Sequence, residues 1–268
     1  MRDMTVRALA LDLDGTLLRS DGTLDARTTR ALAAARAAGM RPIVCTARPP
    51  RWLAGLRGAL GHGGVAICSN GAIELDLSDW RALQTRTLAA TQARAVVAAV
   101  RRTLAGATWA VERLSGYARE PTYRSRWPAP PNTPVAPIET LLAEPVLKLL
   151  VRFEGRSADQ LLAPVRAAVG TRAHVTHSNS ADCLLEISAP GVDKAGALAD
   201  LCARLGIDAA EVIAFGDMPN DLPMLAWAGR AVAVANAHPA VLAAADEITA
   251  SNDQAGVAQV LERLLADG

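Results

Sequence analysis

Apolar residues along the chain fall into short unbroken runs, separated by stretches of helix-forming composition. Residues 6–11, 42–45 and 65–68 are such runs and predict buried strands. Residues 25–38 predict a helix that stops at Gly39. Pro49-Pro50 opens a second predicted helix through Leu60, because proline is accommodated in a first turn. The pair Asn70-Gly71 closes the third strand as a turn. Continuous strands alternating with helices predict a parallel sheet covered on both faces.

The pattern then changes. Residues 91–104 read as a helix and 109–112 as a strand. Residues 120–137 carry too much proline for regular structure. A strand at 146–153, a helix at 157–169 and strands at 174–177 and 183–188 follow. That order predicts a smaller α+β unit with an antiparallel sheet. After about Pro190 the first pattern returns, with a helix at 193–205, a strand at 212–215, a short helix at 222–227 and a strand at 231–234. A final helix starts near Gly256. The expected fold is therefore α/β: a Rossmann-like parallel-sheet core from residues 1–83 and 189–268, with residues 84–188 inserted as an α+β module. No repeat of solenoid period interrupts this reading.

Composition narrows the class. The 268 residues are 51% hydrophobic with a net charge of +1, enough for one large or two ordinary domains. Arginines are scattered rather than clustered, so nucleic acid is not the expected partner. No apolar run reaches membrane-spanning length, and Met1-Arg2-Asp3 does not begin a signal peptide, so neither a membrane nor export is expected. Cys45, Cys68, Cys183 and Cys202 are isolated from one another and read as small buried hydrophobes in a reducing cytoplasm. Lys148 and Lys194 are the only lysines, in a chain that otherwise uses arginine. Lys148, within an apolar run, reads as an outward strand residue. His62, among glycines, reads as a loop residue.

The chemistry sits where the strands end. Asp12 and Asp14 follow the first strand, Thr46 the second, and Asp217 the strand at 212–215. In open α/β sheets ligands bind outside the carboxyl ends of the strands. Independent strands thus bring acids and a hydroxyl to one rim. Acids crowded there repel one another unless a cation sits between them, so a divalent metal site, Mg²⁺ by its oxygen donors, is expected. One carboxylate can attack phosphorus and another can move protons. Lys194 supplies positive charge, while Thr46 and Asn220 can donate hydrogen bonds to phosphoryl oxygens.

These residues carry a resemblance. Asp12-Leu-Asp14-Gly-Thr-Leu-Leu, Thr46, Lys194 and Gly-Asp217-Met-Pro-Asn220-Asp221 resemble the four motifs of the haloacid dehalogenase-like phosphatases. Ser69-Asn70-Gly71-Ala72, Glu186-Ile187, Gly191-Val192-Asp193-Lys194, Ala233 to Ala237 and Ser251-Asn252 resemble the Cof-type sugar-phosphate phosphatases in particular. The resemblance implies Asp12 as nucleophile and metal ligand, and Asp14 as general acid/base with its carbonyl on Mg²⁺. It implies Asp217 and Asp221 as further metal ligands, the latter directly or through water. Thr46, Ala47, Lys194 and Asn220 would hold the phosphate. The inserted module would be a cap that selects the leaving group, and the substrate a small phosphorylated metabolite, sugar phosphates first.

Three positions depart from the family pattern: Ala47 replaces a usual glycine, and Asp193 and Ala195 replace the usual serine and glycine on either side of the lysine, where Asp193 can cap the helix instead. Arg48 is placed either to touch substrate or to form an ion pair. Asn70 and Gly71 are further candidate contacts, as is Arg124 in the proline-rich stretch, which also reads as a solvated connector. The sequence leaves open a phosphomutase, a non-catalytic phosphate-binding module on the same fold, and a monomer or homodimer.

Overall fold

In the computed structural model the chain forms two compact units, Met1–Gln84 with Asp193–Gly268, and Thr85–Val192. The structure describes residues 6–60 and 64–267. His62 and the leading Met1, Arg2 and Asp3, read above, lie outside the described residues.

The first unit is built on an eight-stranded sheet. Its strands are β1 (Ala8–Leu11), β2 (Arg41–Cys45), β3 (Val65–Cys68), β4 (Ile73–Asp76), β5 (Ala82–Thr85), β11 (Val212–Gly216), β12 (Arg230–Val234) and β13 (Glu247–Thr249), in the order β13-β12-β11-β1-β2-β3-β4-β5. The six strands from β13 to β3 run parallel, and β4 returns antiparallel to β3. All four residues of β1 are buried, as expected of a strand covered on both faces. From β1 the chain steps outward through β2 and β3. It later re-enters at β11, on the other side of β1, and steps outward again. The sheet order therefore reverses between β1 and β11, and that is where open α/β sheets leave a crevice.

Helices α1 (Ala26–Ala37), α6 (Lys194–Leu205), α7 (Leu222–Trp227) and α9 (Gly256–Asp267) flank this sheet. Ala8, Ala10, Ile43, Cys45 and Ala214 form one core with Leu198, Leu201 and Cys202 of α6. Asp25 caps α1 by accepting from the amides of Arg27 and Thr28. The helix read over 49–60 breaks instead into two 3₁₀ turns, Pro50–Trp52 and Ala54–Leu56, before the short α2 (Arg57–Leu60). Two prolines lacking N–H groups, with Gly55 and Gly58, weaken a continuous helix there.

The second unit is an antiparallel sheet of β6 (Thr108–Arg113), β7 (Gly116–Arg119), β8 (Lys148–Arg152), β9 (His174–Thr176) and β10 (Leu184–Ser188), in the order β7-β6-β8-β10-β9. One face packs on α3 (Ala90–Thr103) and α5 (Ala158–Val169) through Val96, Val100, Trp109, Leu149, Leu161 and Ile187. Ser157 caps α5 in a reciprocal box with Gln160.

The opposite face corrects the reading of Lys148. Strand alternation does place it away from the helices, but it is buried, with Nζ 2.6 Å from Glu186 Oε2. Ser178 Oγ donates to the other Glu186 oxygen at 2.7 Å, and the neutralising pair lets the lysine stay inside. Cys183 is a second correction: it precedes β10 and is half-buried, while Cys45, Cys68 and Cys202 are buried.

Candidate active site

Asp12 and Asp217 are the first residues beyond adjacent strands. The Asp12 amide donates to Phe215 O at 3.1 Å, continuing the β1–β11 ladder one step and fixing both acids at the same edge. The chain then turns at Gly15, whose φ is +82°. A Cβ there would stand 2.3 Å from Asp217 Oδ2, so only glycine lets this loop lie against the acid. Thr16 Oγ1 donates to Asp217 Oδ1 at 2.8 Å. Asn236 Nδ2 donates to Gly15 O at 2.7 Å, and Asn252 Nδ2 to Leu18 O at 2.9 Å. The Asn252 amide in turn donates to Asn236 Oδ1, so one polar chain pins the acidic loop from outside.

Lys194 opens α6, and Asp193 caps that helix by accepting from the Gly196 amide at 2.8 Å. The lysine is 0% exposed. Its Nζ lies 2.5 Å from Asp12 Oδ1 and 2.6 Å from Asp221 Oδ1. The second Asp221 oxygen accepts from the backbone amides of Asp217 and Met218 at 3.1 and 3.0 Å. Asp221 thus ties the lysine to the loop that carries Asp217. Asp12, Asp217 and Asp221, all buried, each offer an oxygen within 4.8 Å of the others.

Burial and crowding govern the electrostatics. Loss of water raises the Asp12 carboxyl well above its ordinary range; Lys194 opposes the rise, and Asp221 and Asp217 add to it. Burial and the neighbouring Asp221 push Asp217 up to about 7. Burial alone would favour neutral Lys194, but Asp12 and Asp221 outweigh it and hold the ammonium above its usual range.

A second group lies beside the acids. Buried Thr46 donates its amide to Ile67 O at 2.8 Å and accepts the Asn70 amide at 3.0 Å on its carbonyl. Its Oγ1 accepts the Arg48 amide at 3.0 Å, across Ala47. Ser69, Asn70 and Gly71 all have positive φ (52°, 56° and 100°). A Cβ on Gly71 would meet Asp193 O at 2.2 Å, so this strained turn presses on the residue that caps α6. Asn70 Oδ1 accepts from Asn220 Nδ2 at 3.1 Å. Ser69 Oγ and Asn220 Oδ1 are buried with no hydrogen-bond partner among the described residues, a cost that a bound polar ligand can relieve. Asp14 stands apart from the buried acids, its side chain 55% exposed and bonded to Arg48.

The sequence-read residues thus form connected sets. Asp12, Asp217, Asp221 and Lys194 make the buried cluster; Thr46, Asn70 and Asn220 make a hydrogen-bonded chain; Arg48 reaches Asp14. Arg124 belongs to the second unit, in the loop with Tyr123, Arg126 and Trp127 that borders a cavity of about 810 Å³. The partner of Asp217, Thr16, and the pinning roles of Asn236 and Asn252 were not read from the sequence. Their motifs stood out, but which atoms they would bind depends on contacts across more than 200 residues.

The signature of the haloacid dehalogenase-like hydrolases matches residues 9–261, and the chain belongs to that family, in its Cof-type branch. Pyridoxal phosphate phosphatase YbhA of Escherichia coli (strain K12) is 29% identical over 272 residues, covering 96% of this chain and 98% of that protein. The 5-amino-6-(5-phospho-D-ribitylamino)uracil phosphatase YcsE of Bacillus subtilis (strain 168) is 26% identical over 261 residues, covering 97% and 96%. The fold matches that of SMU.1108c from Streptococcus mutans UA159 with a TM-score of 0.85 at 24% identity, covering 97% of this chain and 99% of that one. The chain is accordingly a phosphoric monoester hydrolase. Among the described residues no helix is long and apolar enough to cross a membrane.

Proposed function

We propose that this chain is a Mg²⁺-dependent phosphatase that hydrolyses phosphomonoesters of small metabolites, sugar phosphates first, through an aspartyl-phosphate on Asp12. The observation that carries this reading is the convergence of buried Asp12, Asp217 and Asp221 on buried Lys194 where the sheet order reverses. Three carboxylates within 4.8 Å of one another, with no nitrogen or sulfur donor in the group, suit a hard divalent cation. Burial and mutual repulsion raise both Asp12 and Asp217, and a bound cation would offset that repulsion. Mg²⁺ would be held by Asp12, Asp217 and the Asp14 carbonyl, with Asp221 in support. When bound it would neutralise charge between an anionic nucleophile and an anionic substrate.

The chain's own groups divide the remaining work. Lys194 holds one Asp12 oxygen, leaving the other to attack phosphorus. Thr46, the Ala47 backbone, Lys194 and Asn220 hold the phosphoryl oxygens. Asp14 gives its proton to the leaving oxygen and then takes one from the attacking water. Thr85–Val192 serves as the cap that selects the leaving group, with Arg124 a contact for a second anionic group. The two relatives named above act on phosphomonoesters of small metabolites, which supports this substrate class.

A screen of phosphorylated metabolites tests the proposal, with free phosphate as readout, in Mg²⁺ and in chelator. Phosphate released only with metal, and lost in Asp12→Asn, is the expected result. An isomerised ester without phosphate release would make the chain a mutase. Turnover of no ester at all would make it a phosphate-binding module.

A further inference from the structure

Asp14 differs from the other acids of the site in what holds it. Asp12, Asp217 and Asp221 are buried; Asp12 and Asp221 share Lys194, and Asp217 accepts from Thr16 Oγ1. Asp14 is the exposed one, and a lone exposed carboxylate samples several rotamers. Here it does not stand alone. Arg48 Nε donates to Asp14 Oδ2 at 2.8 Å and Nη2 donates to Oδ1 at 2.6 Å. Two parallel bonds from a planar guanidinium fix the plane of the carboxylate as well as its position, which one point charge cannot do.

Arg48 is itself anchored. Its amide donates to Thr46 Oγ1 at 3.0 Å and its carbonyl accepts the Ser69 amide at 3.0 Å. The guanidinium therefore rests on the same loop pair that carries Thr46. Both of its inner nitrogen positions face the acid, and this fork geometry uses the two oxygens as acceptors, the form in which a carboxylate receives a proton.

We propose that Arg48 is a positioning residue for Asp14, holding it aligned to take the proton of the water that hydrolyses the aspartyl-phosphate, and not a substrate contact. The inference rests on the acid/base role given to Asp14 above. In that step the water oxygen bonds to phosphorus and the bond from phosphorus to the Asp12 oxygen breaks. Its electron pair returns to Asp12, and the water proton passes to Asp14. The same proton then serves the next leaving group. A misaligned Asp14 slows this second half of the cycle even for a substrate whose leaving group departs without help.

The test uses p-nitrophenyl phosphate with the full-length enzyme in Mg²⁺, comparing wild type, Arg48→Met, Arg48→Lys and Asp14→Asn. Acid quench measures the fraction of enzyme held as aspartyl-phosphate, and circular dichroism melts report that each variant is folded. In Arg48→Met the aspartyl-phosphate should accumulate, with kcat and KM falling together by about tenfold to a hundredfold, the scale set by losing alignment of a proton-transfer group. Arg48→Lys, with one contact instead of two, should recover part of that loss. Asp14→Asn should show the same signature more severely. Reduced kcat/KM in Arg48→Met without accumulation would make Arg48 a substrate contact and overturn the inference, as would unchanged kinetics or full recovery with lysine. If Asp14→Asn itself gave no accumulation, the acid/base role of Asp14 would fall first, and the two failures remain distinguishable.

Discussion

Raising the pH without metal should loosen the first unit, and the structure gives the size of the effect. Asp217 moves from an ordinary value of 3.8 to about 7 in the folded chain, through burial and the charge of Asp221. The folded state therefore binds this proton more tightly than the unfolded state does. Below pH 3.8 both states are protonated and the stabilisation is fully present. Between 3.8 and about 7 the unfolded chain ionises first, so stability falls, and above that interval the loss is complete. At about 1.4 kcal/mol per pH unit the interval amounts to about 4 kcal/mol. Asp12, raised by the same burial, acts with the same sign. For a unit of this size about 4 kcal/mol moves the melting temperature by roughly 8–16 °C. Calorimetric melts in chelator from pH 4 to 8 would measure this for the wild type and for Asp217→Asn, whose amide keeps an acceptor for Thr16 but has no proton to lose. Exposed carboxylates with lowered values, such as Asp21, Glu211 and Asp253, pull the other way and cancel in the difference between the two proteins. Mg²⁺ should restore the wild type most at high pH, by about 2.7 kcal/mol when present at a hundred times its dissociation constant. A difference curve that is flat, or that rises with pH, would refute the reasoning.

Other outcomes follow from single contacts. Lys194→Met leaves Asp12 and Asp221 without their shared ammonium; urea unfolding should show a loss of about 3–5 kcal/mol, larger at pH 8 than at pH 5. Gly15→Ala drives a Cβ to 2.3 Å from Asp217 Oδ2 at a φ of +82°, so phosphate release should be lost and the melting temperature lowered by strain of about 1–3 kcal/mol. Gly71→Ala, at 2.2 Å from Asp193 O, should displace the start of α6 and lower kcat through Lys194; an unchanged kcat would show that the turn does not set the lysine. Asp12→Asn should form no phosphoenzyme after acid quench, because an amide is a poor nucleophile.

The sequence displayed the strands that matter because they are continuous apolar runs: β1, β2, β3 and β11 stand where the pattern put them, with their acids and hydroxyl one residue past the end. Short edge elements were illegible for the opposite reason. β5, β7 and β13 have only three or four residues at the edges of their sheets, and β13 carries exposed Ile248, so no continuous buried run marks them. Lys148 illustrates a different limit. Alternation gave its face correctly, but whether a charge on that face meets water depends on Glu186 and Ser178, which lie 30 or more residues away. The site divides along the same line. A motif tells which residue types reach the rim, since strand ends fix their positions. Which of them share a partner is decided by contacts between rims: Lys194 between Asp12 and Asp221, Thr16 on Asp217, Arg48 on Asp14. Those pairings separate buried Asp12, held by Lys194, from exposed Asp14, held by a guanidinium. One motif, with its acids two residues apart in the chain, thereby supplies two carboxylates with opposite surroundings.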